Sequence, residues 1–331
     1  MPSTNPLELP EILQNVANYV VKRSLPTCAL VSNTWYQEFN PFIWKSIRLT
    51  KRKPTPPEAI QIHGHLVKIL FISCTFSQEH LVLRFPRLVS LTMKDLVQDG
   101  PVTPQWISQH PTISQLSLSF FERDPPETLW DKLLELPHLK CLTLITINIR
   151  KKYLQKFWQL CTQLESLTLE SPSIPIPVTL VPMDFPSIKE IRLDITGEKQ
   201  LPMFLELLQK CPGLTAFTWN SWSNDLDDAF RSSFVSLVVT KGRILWPHLE
   251  RLVLKTWGTT HEEACQIIGG MKRIVSLCIG SSQGLFGPNT VDQLRPHFLT
   301  LTELDLAYNN NATSAMAQEI LSSCLSLVAF R

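Results

Sequence analysis

The chain has 331 residues, 44% of them hydrophobic, and carries 31 Lys and Arg against 29 Asp and Glu, a net charge of +2. That length holds two ordinary domains or one elongated array, and the apolar share supplies a continuous core. The balanced charge excludes a strong field for nucleic acid or acidic lipid, so no nucleic-acid partner is expected. The first ten residues lack the basic and apolar regions of a signal peptide, and no apolar run nears the roughly 18 residues of a membrane span. The reading is therefore a cytoplasmic or nuclear protein without membrane contact. Eight cysteines contain no Cys-x-x-Cys pair and read as small apolar residues rather than zinc ligands or redox thiols. With 11 glycines and no Gly-rich phosphate loop, G-x-S-x-G or H-E-x-x-H motif, neither catalytic residues, a metal nor a cofactor is expected. The nearest approaches, His63-Gly64-His65 and His261-Glu262-Glu263, have no third ligand at useful spacing.

In chain order, the first element set is helical. Leu9, Ile12, Leu13, Val16 and Val20 fall on one helical face, Pro26 sits in the first turn of a second helix after Ser24, and Asn33 or Thr34 is placed to cap a third around Trp35. The segment contains Leu9-Pro10, then Val31-Ser32-Asn33-Thr34-Trp35, then a closing Ile43-Trp44. In that order these motifs resemble an F-box, over residues 1–49. The resemblance implies a three-helix domain that docks on a small linker protein of the Skp type, and through it on a cullin. It assigns the linker contact to Leu9, Pro10, Ile12, Leu13, Val31, Ser32 and Trp35. One departure is that Glu11-Ile12 follows Pro10 directly, where the family more often has an intervening residue. Residues 50–62, with Lys51, Arg52, Lys53, Pro54, Pro56 and Pro57, then read as a stiff basic link.

From residue 63 a frame of the form apolar-x-x-apolar-x-apolar recurs, beginning at Leu66, Leu88, Ile113, Leu139, Leu164, Ile188, Leu214, Leu249, Ile274 and Leu301, with a truncated eleventh at Leu327. All but one of the spacings match the 20–29 residues of leucine-rich repeats. An apolar residue stands three positions before most frames, and in six units Pro occupies the next position, as in Phe85-Pro86-Arg87-Leu88. Proline there suits a turn admitting a strand. Cys161, Cys211 and Cys324 occupy the same apolar slot, which reads as packing. Between frames lie helix-period stripes such as Leu129, Leu133 and Leu136. Leu301 to Asn309 matches the full leucine-rich-repeat pattern, and the array resembles that family over residues 66–331. The slot eight residues after each first Leu, where the family carries Asn or Cys, holds other residues in most units, including Ile147, Pro172, Trp222 and Trp257, so an asparagine ladder is excluded.

The expected fold is α/β: an N-terminal three-helix F-box followed by a leucine-rich-repeat solenoid over 63–331, with a curved parallel sheet inside and helices outside. Residues between the frame positions face outward; in the first unit these are Lys68, Leu70 and Ile72. Towards the C-terminal half they become charged, and Glu190, Arg192, Asp194, Asn220, Arg251 and Lys255 are the candidate substrate contacts, the cations being suited to acidic groups. The 35-residue gap after Leu214 is expected to emerge as a loop or helix start around Asn224 to Asp228. The last unit lacks a polar cap, which predicts a fragment or a frayed end. Together the two resemblances imply a substrate adaptor of an SCF-type ubiquitin ligase with an unknown protein substrate. The alternative is a non-ligase repeat scaffold or inhibitor whose N-terminal helices only cap the first repeat.

Overall fold

A computed structural model describes residues 9–50, 56–73, 82–94, 102–120, 125–172, 183–195, 201–221, 227–255, 260–280, 287–305 and 313–330. The chain forms two compact units, Met1–Phe121 with Pro126–Leu139, and Glu122–Pro125 with Lys140–Arg331.

The first unit opens with three helices, α1 (Pro10–Tyr19), α2 (Leu25–Ala29) and α3 (Asn33–Trp44). Leu13, Ala17, Leu25, Ala29 and Phe39 make their core, with Val16, Val20 and Trp35 packed against it. Pro26 lies in the first turn of α2, where its missing N–H costs nothing. The cap of α3 is Ser32 rather than Asn33 or Thr34; its side chain accepts a hydrogen bond from the Trp35 backbone N–H.

Helix α3 runs directly into β1 (Ser46–Leu49), which pairs in parallel with β2 (Ile69–Ile72). The repeat frame thus begins one unit earlier than the sequence reading placed it, with Ile47 and Leu49 as buried frame positions. Between these strands α4 (Pro57–His63) occupies most of the described part of the segment expected to be a link; residues 51–55 lie outside the described residues. β3 (Ser90–Met93), α5 (Val102–Ser108), β4 (Gln115–Ser119) and α6 (Glu127–Leu134) complete the unit, β2, β3 and β4 pairing in parallel and in order.

The first expected frame is corrected by one residue. Leu70 aligns with Leu91 and Ile72 with Met93, and Val67, Leu70 and Ile72 are buried while Ile69 is 41% exposed. Leu70 and Ile72 therefore belong to the core, not to the open face. In the run Leu66 to Ile72 two apolar frames overlap, and a one-residue slip exchanges the faces of a strand.

The second unit holds β5 (Cys141–Ile145), α7 (Leu154–Cys161), β6 (Ser166–Glu170), β7 (Glu190–Ile195), α8 (Leu201–Gln209), β8 (Ala216–Ser221), α9 (Asp227–Leu237), α10 (Arg243–Leu245), β9 (Arg251–Lys255), α11 (His261–Gly270), β10 (Ser276–Gly280), α12 (Pro288–Leu294), β11 (Glu303–Asp305), α13 (Ser314–Ser323) and β12 (Ala329–Phe330). Its strands pair in parallel in chain order, aligning Leu167, Ile191, Phe217, Leu252, Leu277 and Leu304 in one buried row. Each fully buried Leu or Ile contributes about 1.5–3 kcal/mol.

One turn recurs throughout. Leu88, Ile113, Leu139, Leu164, Ile188, Leu214 and Leu249 each donate their backbone N–H to the carbonyl three residues earlier, at 3.0–3.4 Å. Proline at the second position of such a turn is already set in φ. The turns stack closely: a Cβ on Gly213 would collide with the carbonyl of Pro186. The long gap after Leu214 is filled by α9, a π-helical turn over Val238–Gly242 and α10, rather than by a loop, in its described part. Phe234 of α9 meets Phe217 at 5.4 Å between ring centres, so the extra residues add to the core.

Candidate protein-binding surfaces

The residues assigned to a linker contact separate into surface and support. Leu9, Pro10 and Val31 are exposed, Leu9 by 40% and Val31 by 62%. Ile12 is half-buried. Leu13 is fully buried and holds the helices together from beneath, so it cannot itself touch a partner of this conformation. Trp35 is half-buried and stacked on Phe39 at 5.2 Å between ring centres, and Ser32 is occupied in capping α3. The structure adds exposed side chains that motif reading passed over: Tyr19 at 90%, Leu30 at 85% and Tyr36 at 46%. Leu30 carried a signal, since it lies next to Val31 at the exit of a short helix whose inward positions Leu25 and Ala29 already supply its core face.

The same helices are tied to α4 and to the first strand. The Trp44 and His63 rings stack at 4.3 Å, and Lys22 donates from Nζ to the Ser46 carbonyl. Burial, then the charge of Arg48, lowers the pKa of Lys22.

The six candidate substrate residues lie on three consecutive strands of the second unit. Register sets Ala216 between Glu190 and Arg251, Thr218 between Arg192 and Val253, and Asn220 between Asp194 and Lys255. All alternate with buried frame residues, so they share the open face of the sheet. Glu190, Arg192, Arg251 and Lys255 are exposed, Asp194 is half-buried and Asn220 is 8% exposed. Ser166 reaches Glu190 at 3.4 Å from one side. Cys278 shares this face, and burial, reinforced by Asp305 against the opposing charge of Lys255, pushes its thiol up to about 11.

The remaining sequence candidates do other work. Cys161 and Cys211 are fully buried and Cys324 nearly so; burial drives the Cys211 thiol to about 12. All described cysteines are free. His261 contacts Thr290 at 3.1 Å and Cys265 at 3.8 Å, and among the described residues no group of three His, Cys, Asp or Glu could hold a metal. Ile147 and Pro172, in the ladder slot, are buried, while Trp222 and Trp257 lie outside the described residues. Sequence reading missed His110, which fills an otherwise apolar slot. It is 1% exposed, its Nε2 accepts from the Phe85 N–H at 3.2 Å, and its Nδ1 lies 2.8 Å from the Trp106 carbonyl. Burial lowers its pKa against the opposing Trp106 hydrogen bond. No described helix is long and apolar enough to cross a membrane.

No protein-family model and no curated protein matches the chain. Among solved structures, 65 chains match. One is the crystal structure of the mouse RP105/MD-1 complex, 13% identical with a TM-score of 0.40, covering 78% of this chain and 49% of that one. Another is the leucine-rich repeat domain of APL1B, 13% identical with a TM-score of 0.32, covering 84% of this chain and 73% of that one. The chain spans about half the length of the first. Its own buried frame, recurring turn and in-order parallel strands define a leucine-rich-repeat array.

Proposed function

We propose that this chain is a non-catalytic adaptor: its N-terminal helices dock as an F-box on a Skp-type linker protein, which brings it to a cullin-based ubiquitin ligase, and its repeat array selects a protein substrate. The observation that carries the reading is the distribution of apolar surface. Of the 17 exposed large hydrophobic side chains among the described residues, Leu9, Tyr19, Val21, Leu30, Val31 and Tyr36 fall within the first 36 residues. A segment that has its own core and still exposes so much apolar surface is built for a partner. Leu9 and Val31, two positions drawn from the F-box motifs, are among these exposed residues.

Co-purification of the full chain with a Skp-type linker tests this. The wild type should form a stable complex, and a Leu30→Asp/Val31→Asp variant should fold but lose it, since both positions are exposed. A folded wild type that forms no complex would overturn the adaptor reading. A repeat scaffold with a helical N-terminal cap would then stand, a reading favoured by the Trp44–His63 stack and the bond from Lys22 to Ser46.

A further inference from the structure

The geometry points to a specific subsite on the open face of β7, β8 and β9: Asn220 reads the main chain of an extended protein segment, while Arg192, Arg251 and Lys255 hold an anionic side chain of that segment. This rests on reading the array as the partner-binding part of the protein, but not on the linker contact.

Three observations converge. Asn220 is 8% exposed, and its side-chain Oδ1 has no hydrogen-bond partner. A buried amide oxygen without a partner in the free protein is an acceptor awaiting a donor, and a peptide N–H is the donor that an extended segment always offers. Second, Arg192, Arg251 and Lys255 have no ion-pair partner among the described residues. Elsewhere in the same unit Lys140, Lys189, Lys210, Arg231, Arg273 and Arg295 each pair with a carboxylate. Third, the strand between the cations carries small residues on this face, Ala216 and Thr218, both only half-buried. They leave a floor about two strand spacings, or about 10 Å, wide between Arg192 on β7 and the cations of β9.

The acids on the same face set the polarity. Glu190 and Asp194 flank Arg192 on β7, and Glu303 and Asp305 lie beyond on β11, Glu303 accepting from Ser276 at 2.8 Å. An anionic side chain is therefore steered towards β9, and basic residues of the segment would fall to either side. A carboxylate and a phosphorylated hydroxyl share this chemistry.

The test uses purified full-length chain on immobilised synthetic peptides in a randomised background, with Glu, phosphoserine, Gln or Lys at a fixed central position. Glu- or phosphoserine-centred peptides should be retained at least about tenfold better than Gln- or Lys-centred ones, and binding should weaken as salt is raised. Which anionic set leads identifies the source, carboxylate or phosphate. An Arg192→Ala/Arg251→Ala/Lys255→Ala variant should lose the preference. Asn220→Ala should lose binding with an unchanged melting temperature, because it removes an amide whose buried oxygen has no partner in the free protein. Equal retention of Gln- or Lys-centred peptides, or undiminished binding by either variant, overturns the proposal. Linker co-purification by the same variants stays intact, so failure here is distinct from failure of the adaptor reading.

Discussion

Leu13 and Leu30 are the same side chain in opposite circumstances. Leu13 is fully buried and Leu30 is 85% exposed, although both sit among motif residues of the N-terminal segment. Leu13→Ala should cost about 2–5 kcal/mol of stability, read by denaturant unfolding. Leu30→Ala should stay within about 0.5 kcal/mol by the same measure, because an exposed substitution leaves no cavity. The histidines make a second residue-scale test. His110 and His297 are buried and their pKa values are lowered, burial being the first cause in both. Below the ordinary histidine value of 6.5 the unfolded chain takes up protons that the folded chain refuses, so stability is full above that value and falls as pH drops beneath it. The melting temperature should therefore decline from pH 7.5 towards pH 5.5. His110→Phe, which keeps an aromatic ring in the slot, should flatten that decline. The sequence reading did not single out His110. Trp106 lies only four residues earlier, but Phe85 comes from the preceding unit, and no local pattern announces it.

At the scale of elements, the frame and the Pro-containing turn were legible because each repeats a local rule many times. The frames from Leu88 to Ile274 are buried at all three apolar positions. Register was not legible where two frames overlap, as at Leu66 to Ile72, since alternation alone cannot choose a face; pairing with β1 and β3 does. The strand β1 itself was hidden because Ile47 and Leu49 lie just past Trp44, the last residue of the F-box motif. Nor could spacing alone tell that the long gap after Leu214 becomes helix and π turn. Two glycines separate close packing from incidental contact. Gly213→Ala should destabilise by about 1–3 kcal/mol, because the obstructing group is the backbone of Pro186. Gly269→Ala, in α11, would meet only the flexible end of Gln293, and the gain in helix propensity, up to about 1 kcal/mol, should leave the protein as stable or more so. Parallel thermal melts of the two variants check both outcomes.

For the whole molecule, the functional reading joins two surfaces of different character. The N-terminal helices expose apolar side chains and bury a small core of their own, while the second unit presents a polar sheet face with cations that have no ion-pair partner among the described residues and an amide oxygen without a hydrogen bond. An apolar surface suits a constant partner and a polar one suits selection among partners. The candidate residues on β7 and β9 were legible from alternation alone, because a strand exposes every second side chain. Their convergence around Ala216 and Thr218 needed the register, and the unmet bond of Asn220 needed the neighbours. The measurement that tests the central claim most directly is amide hydrogen exchange of the full chain with and without a Skp-type linker. The account predicts slowed exchange concentrated in residues 9–44 and unchanged exchange in β7 to β9. Unchanged exchange in the helices at saturating linker, or protection confined to the sheet strands, would contradict it.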